Sequence, residues 1–247
     1  MSSRVEEAVN AERTSKHYAL NYYMEEAEVD PLFKFDIGFL DNIFRQKGKL
    51  LDATMGRGRH LIHFARRGFE VHGNDYNKNM VDSVREDMKK LNLKAKLYNY
   101  DIRDLSKIKD RYFDYVISMG SSIGCIPKRK NRQMAMKELA RVLKPGGILA
   151  IHAHNFIHES PIDTLLILKT YIRHDPDLEA GDEIYFHGKE LGHTFLHYFT
   201  ETELDKMFRQ ANLRVLRKAY LNQDQGNYYT GMFKSLLSGG FIFVGKK

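Results

Sequence analysis

One cysteine, Cys125, and five prolines are all that the 247 residues contain of these two types. A lone thiol cannot close an intramolecular disulfide, and a cysteine-rich zinc site is excluded with it. No apolar run approaches the roughly 18 residues that a membrane span needs; Thr164-Leu165-Leu166-Ile167-Leu168 is far too short. The first thirty residues carry Glu6, Glu7, Glu12, Glu25 and Glu26 and no apolar core, which argues against a secretory signal. Internal repeats and low-complexity linkers are also missing, so residues 1–247 are expected to form a single domain in a soluble, reduced, cytoplasmic protein without membrane attachment. Charge is more informative. Lys+Arg 39 against Asp+Glu 32 gives +7 and a pI near 9.2, which keeps nucleic acid or an anionic substrate in play.

Short apolar runs alternate with amphipathic stretches through the middle of the chain. Lys49–Thr54 reads as a buried strand, followed by a helix from about Gly58 to Arg67. Phe69–Asn74 is a second strand, and Asn79–Leu91 is helical, with Met80, Val81, Val84, Met88 and Leu91 on one stripe. Ala95–Tyr100 and Tyr112–Met119 are strands three and four. Lys128–Leu143 is a helix stopped by Pro145-Gly146-Gly147, which feeds strand five, Ile148–Ala153. Strands separated by helices imply right-handed crossovers and a mostly parallel sheet covered on both faces. The expected fold is therefore α/β, doubly wound.

The last third breaks this alternation. Residues 155–199 are an insert after strand five, with an apolar helix near 162–172 and two aromatic, strand-like pieces, 182–187 and 193–199. A helix over 201–211 and strands at 214–220 and 240–244 complete the chain.

In such sheets the ligand lies at the carboxyl ends of the strands. Four segments reach that edge. Asp52-Ala53-Thr54-Met55-Gly56-Arg57-Gly58 is a strand–turn–helix junction whose glycines allow a tight turn and close backbone approach. A dinucleotide fingerprint would need a third glycine where Leu61 stands. Asp75, ending strand two, suits either the two hydroxyls of a ribose or an exposed turn. Asp101, after strand three, suits an adenine amino group or a helix N-cap. Ser118-Met119-Gly120-Ser121 closes strand four. Each feature is common; four at successive strand ends are not.

The segment 50–155 resembles the class I, Rossmann-like S-adenosylmethionine-dependent methyltransferases. The resemblance rests on Asp52…Gly56-Arg57-Gly58, Asp75, Asp101 and Leu143-Lys144-Pro145-Gly146-Gly147, and it continues through the later helix and strands. It implies a seven-stranded sheet, with an N-terminal helical lid over 1–45, a cofactor-binding core over 46–154, a substrate-capping insert over 155–200 and closing elements over 201–247. It also implies S-adenosyl-L-methionine as cofactor. The glycine turn with Asp52, Thr54, Gly56, Arg57 and Gly58 would cradle the methionine and ribose, and Asn74, Asp75 and Tyr76 would hold the ribose side. Asp101 and Ile102 would contact adenine, and Ser118, Met119 and Gly120 would close the pocket. Thr54 stands where the family's first glycine usually is, which narrows the approach at the methionine end. In many relatives an N-terminal aromatic helix closes over cofactor and acceptor. Tyr22 on the cofactor side and Tyr18 and Tyr23 on the acceptor side resemble that lid, although plain packing needs the same spacing.

A sulfonium donor is already activated, so the enzyme mainly aligns an acceptor; a base helps only an acceptor that arrives protonated. His152 and His154, two apart on strand five, share a face and are the candidates for base or orienter, with hydrogen-bonded packing as the rival role. Asn155 suits substrate orientation or a turn. Lys128 and Arg129, in the run Lys128–Arg132, either face an anionic acceptor or are solvated, since positive charge at a helix start works against the dipole. His193 and His197, if extended, lie roughly 13 Å apart, so no metal site is expected.

A small-molecule acceptor is favoured. An RNA or protein methyltransferase is the alternative; nucleic acid stays open on charge, but no Asp/Asn-Pro-Pro-aromatic signature closes strand four. A non-catalytic cofactor-binding protein is the third reading, and an NAD-binding oxidoreductase the fourth.

Overall fold

The chain is described by a computed structural model over residues 4–15, 31–156, 177–186, 193–222 and 226–247. Helices α1 (Arg4–Thr14) and α2 (Pro31–Ile43) precede β1 (Lys49–Asp52), α3 (Arg59–Arg66), β2 (Glu70–Asn74), α4 (Lys78–Lys90), β3 (Lys96–Tyr98) and β4 (Phe113–Ser118). A 3-10 turn (Ser122–Cys125), α5 (Arg129–Val142), β5 (Leu143–His154) and the strands β6 (Asp182–Phe186) and β7 (His193–His197) follow. The chain closes with α6 (Glu201–Gln210), β8 (Arg214–Asn222), β9 (Asn227–Tyr228), α7 (Lys234–Leu237) and β10 (Gly240–Lys246).

Eight strands pair in the order β3-β2-β1-β4-β5-β10-β8-β9. The first five run parallel, and β10 is antiparallel to both β5 and β8. The fold is the expected Rossmann-like α/β arrangement with one strand more than seven. The extra strand, β9, has two residues, too few for any alternation to show in the sequence.

Strand alternation decides which helices cover each face. Leu149, Ile151 and Ala153 of β5, with Phe241 and Phe243 of β10, face α5 and α6 through Ala135, Met136, Leu139, Leu204 and Phe208. Ala150, Ile242 and Val244 point the other way, onto α2, α3 and α4 through Phe39, Leu40, Phe64, Val81 and Val84. Both faces are thus buried, as parallel strands require.

Strand five starts earlier than its apolar run. Pro145-Gly146-Gly147 is a bulge within β5, not a turn before it. Phe113 pairs with Leu143 and Tyr115 with Ile148, so the register slips across the glycines. Gly146 sits at φ 81, and a Cβ on Gly147 would stand 2.9 Å from the Lys144 carbonyl. Helix α5 passes straight into the strand.

The insert leaves and rejoins the sheet at one point. Phe199 donates its amide to the His154 carbonyl at 2.8 Å, and Phe156 donates to Phe199 at 2.7 Å. Between them β6 and β7 form an antiparallel pair, against which α1 packs through Val5, Ala8 and Phe195. The apolar helix expected near 162–172 and the aromatics Tyr18, Tyr22 and Tyr23 lie outside the described residues.

Candidate functional site

Strand order reverses between β1 and β4, and a crevice of about 170 Å³ opens at their carboxyl ends. A single water takes about 10–15 Å³ on the same measure, so the space suits a ligand of nucleoside size. Thr54, Gly56 and Arg57 after β1, Asp75 and Tyr76 after β2, Asp101 and Ile102 after β3, and Met119 and Gly120 after β4 line it. Gly56 and Gly120 have φ of 49 and 64, and a Cβ on either would meet nothing within 4 Å. A ligand can therefore approach their backbone closely.

Asp75 is fixed by two backbone amides. Gly56 donates to Oδ2 at 3.0 Å and Asn77 donates to Oδ1 at 2.8 Å. Among the described residues each oxygen keeps a free lone pair, which is what a pair of vicinal hydroxyls would need. Burial pushes the carboxyl up to about 6, against the pull of those two amides. Asp52, 1% exposed, is likewise raised by burial to about 6, with the nearby charge of His60 acting against the rise. Its Oδ2 accepts no hydrogen bond among the described residues. A glycine turn, a diol-sized carboxylate and an acid at the β1 end with one unpartnered oxygen fit a nucleoside whose other end carries an amino group.

Asp101 is differently occupied. Its Oδ1 accepts from the Arg103 amide and Nε, both at 2.9 Å, and its Oδ2 accepts from the guanidinium at 2.5 Å. Burial alone would raise the carboxyl; the bonds and charge of Arg103 outweigh it and hold the group below its ordinary value. Asp101 still lines the crevice, paired with an arginine that lines it too.

Other residues singled out in the sequence stand behind the wall. Asn74 is fully buried and stitches strand ends: Nδ2 donates to Ala53 and Tyr100 carbonyls at 3.0 and 3.1 Å, and Oδ1 accepts the Tyr100 amide at 3.0 Å. Gly58, at φ 74, is where α3 meets α4; a Cβ there would stand 3.0 Å from Val84 Cγ1. Ser118, also fully buried, bonds Thr54 at 3.0 Å, hydroxyl to hydroxyl, tying β4 to β1. Arg57 sits on the wall, yet its guanidinium is taken by Ser83 and, at 3.0 Å, by Asp87.

The acceptor-side candidates divide in the same way. His152 and His154 share a face, their rings 5.6 Å apart. His152 is fully buried, and His154 is half-buried with its amide on Ser121 Oγ at 3.0 Å. The crevice wall runs past neither. Asn155, 2% exposed, donates to the Ser238 and Leu236 carbonyls at 2.7 and 3.2 Å, binding the strand end to α7.

Lys128, Arg129 and Lys130 are exposed, and the wall stops at Pro127. The positive start of α5 is compensated from the insert. Glu179 accepts from the Arg129 amide and from the Arg132 guanidinium, each at 2.8 Å. Arg132 is itself 1% exposed, with Asp182 at 3.8 Å, Glu203 at 3.6 Å and the Phe199 ring at 5.8 Å. His197 belongs to the same network, against Asp182 at 2.6 Å and Glu203 at 3.1 Å.

Sequence reasoning passed over several wall residues. Arg59 and His60 open α3; Cys125 ends the 3-10 turn and Ile126 and Pro127 follow it; Val9 comes from α1. The first five lie just beyond strand ends that the sequence had located, so extending each junction by a turn would have included them. Nothing in the pattern of 4–14 announced Val9.

Fold and crevice together define a nucleoside-binding α/β domain with its site at the switch point. Residues 50–147 match the family described as a methyltransferase domain. Over that segment the chain is similar to methyltransferase domains, and its fold is the one that S-adenosylmethionine-dependent methyltransferases adopt. YqeM of Bacillus subtilis is 29% identical over 110 residues, 44% of each chain. A glycine/sarcosine N-methyltransferase of Parasynechococcus marenigrum is 28% identical over 120 residues, 48% of this chain and 43% of that one. The matches thus span less than half the length of these relatives. In fold, the chain superposes on an S-adenosylmethionine-dependent methyltransferase from Methanosarcina mazei with a TM-score of 0.67 at 24% identity, over 85% of this chain and 96% of that one.

Proposed function

We propose that this chain transfers a methyl group from S-adenosyl-L-methionine to a small-molecule acceptor by in-line displacement. One observation carries the reading: Asp75, held by the Gly56 and Asn77 amides, presents two spare acceptor sites on a crevice of nucleoside size. Asp75 would accept the ribose hydroxyls, Gly56 and Gly120 would admit the ligand against bare backbone, and Ile102, Met119 and Ile126 would form the apolar walls around adenine. Asp52 lies behind the glycine turn, where its unpartnered oxygen suits the amino group of the methionine end. The cofactor supplies a methyl on positively charged sulfur, so the protein's share is alignment and the exclusion of water. The glycine/sarcosine enzyme among the relatives supports a small acceptor.

Calorimetry with S-adenosylhomocysteine is the direct test. Micromolar-range binding with one site per chain is expected, weakened about 5- to 150-fold in Asp75→Asn, the equivalent of about 1–3 kcal/mol. Equal affinity in both proteins would remove Asp75 from the site, and no binding at all would remove the reading.

A further inference from the structure

A buried carboxylate on α2 stands between two imidazoles beside the crevice. Asp36 is 3% exposed, and its Oδ2 lies 3.7 Å from His60 Nε2 and 3.9 Å from His152 Nδ1. Those separations suit ion pairs and are longer than hydrogen bonds. Among the described residues neither Asp36 Oδ1 nor His60 Nε2 has a hydrogen-bond partner. His60 is 8% exposed, and that exposure is on the crevice wall, which His60 lines and Asp36 does not.

The surroundings determine what this cluster can do. From α3, Arg59 stacks over the Phe33 ring at 4.6 Å, and the same ring meets His60 edge-on at 5.0 Å. From β1, Asp52 senses the charge of His60. From β5, His154 lies behind His152, and from β8, Arg217 covers the Phe39 ring one turn along α2 at 4.9 Å. Among the described residues the ion pairs of Asp36 are to imidazoles alone. An acid–imidazole pair with the ring toward a crevice has the form of a base and its orienter.

We propose that His60 is the proton acceptor of the methyl transfer, with Asp36 and His152 as positioning residues, and that the acceptor is an amine. The proposal rests on the methyltransferase reading above. The neutral His60 ring carries its proton on Nε2, toward Asp36, and keeps Nδ1 as base. As the amine lone pair forms the N–C bond to the methyl group, the C–S bond breaks and its electron pair stays on sulfur. The N–H proton passes to His60, and the imidazolium so formed rests against the Asp36 carboxylate. An amine is singled out by charge and by need. A carboxylate acceptor arrives already ionised, needs no base, and would meet Asp75 and Asp101 on the crevice wall. An amine must shed a proton and gains from the same acids.

Two measurements test this on the full chain. In the first, primary and secondary amines, phenols, thiols and carboxylic acids are offered with labelled donor. Turnover of amines is expected, with kcat falling about 100-fold in His60→Gln. In Asp36→Asn kcat is expected to fall about 10-fold with KM for the amine unchanged, because the imidazolium loses its counter-charge, and Asp36→Glu should restore kcat. Both variants should bind S-adenosylhomocysteine within threefold of wild type. In the second, which needs no variant, ring-nitrogen NMR of the wild-type S-adenosylhomocysteine complex is followed. The His60 signals should move on adding a turned-over amine and stay put on adding the matched carboxylic acid. Turnover confined to another acceptor class, kcat within threefold in His60→Gln, an unchanged kcat in Asp36→Asn, or silent His60 signals would each overturn the assignment. A wild-type chain that binds no S-adenosylhomocysteine would instead overturn the function on which it rests.

Discussion

Asp75 shows how one residue can be expensive for the fold and useful to the site. Its carboxyl is raised to about 6 by burial, from 3.8 in the unfolded chain, so its contribution to stability is full below about pH 4 and is lost as pH rises through 6. Ribose hydroxyls donate to the ionised form, so a ligand that uses them should bind better as the group ionises. Affinity for S-adenosylhomocysteine is expected about tenfold weaker at pH 5 than at pH 8, because about one-tenth of the carboxyl is ionised at pH 5. Asp75→Asn should lose most of that slope in calorimetry across pH 5–8; a slope kept intact would assign it elsewhere. The two glycines of the turn separate in the same way. A Cβ on Gly56 meets open space whereas one on Gly58 meets Val84, so Gly58→Ala should lower the urea midpoint more than Gly56→Ala. Gly56→Ala should be the one that weakens ligand binding. Equal effects on both quantities would show that the glycines share one role.

At the scale of elements, α5 and the insert are coupled through buried charge. A helix that begins Arg129-Lys130 is unfavourable by the dipole rule, and Glu179 supplies the missing anion from fifty residues away. That partner was not legible in the sequence, which offered only an anionic acceptor or solvent. Local charge was visible there, but the return of the insert was not. His197 was equally opaque: its spacing from His193 argued against a shared metal but named no partner, whereas its ring bonds Asp182 and Glu203. Arg132→Ala leaves His197 alone to answer the charges of Asp182 and Glu203 in the interior, so a loss on the order of 3 kcal/mol is expected in urea unfolding. A loss below about 1 kcal/mol would make the network incidental. Acid should work in the same direction. Burial pushes the Glu203 carboxyl up, but the bond from His197 and the charges of His197 and Arg132 hold it below its usual 4.5. The stability it adds is therefore present above that value and lost as pH falls below it, and this loss should be smaller in Arg132→Ala.

Across the whole molecule, legibility followed sequence distance. Strand ends and the helices between them show in apolar periodicity, so the sheet, its parallel half and the crevice edge followed from residues 49–154. Contacts that join distant segments left no local mark: Val9 on the crevice wall, Asp36 against His60 and His152, and Asn155 stapled to Leu236 and Ser238. Leu61 was the exception, because one residue discriminated between two ligand classes. It is fully buried, and a Cβ on Gly73 would stand 3.1 Å from its Cδ2, so the start of α3 is packed by a side chain where a dinucleotide fingerprint keeps a glycine. The consequence is measurable as thermal stability. S-adenosylhomocysteine at 100 times its Kd should stabilise the native state by about 2.7 kcal/mol. For a chain of this size that is a rise in Tm of roughly 5–10 °C. NAD at the same concentration should leave Tm within about 1 °C, because Leu61 holds the start of α3 away from the close helix–strand packing that a dinucleotide site requires. A rise with NAD and none with S-adenosylhomocysteine would mean that the crevice is built for phosphate, and that the spare lone pairs of Asp75 face a different ribose.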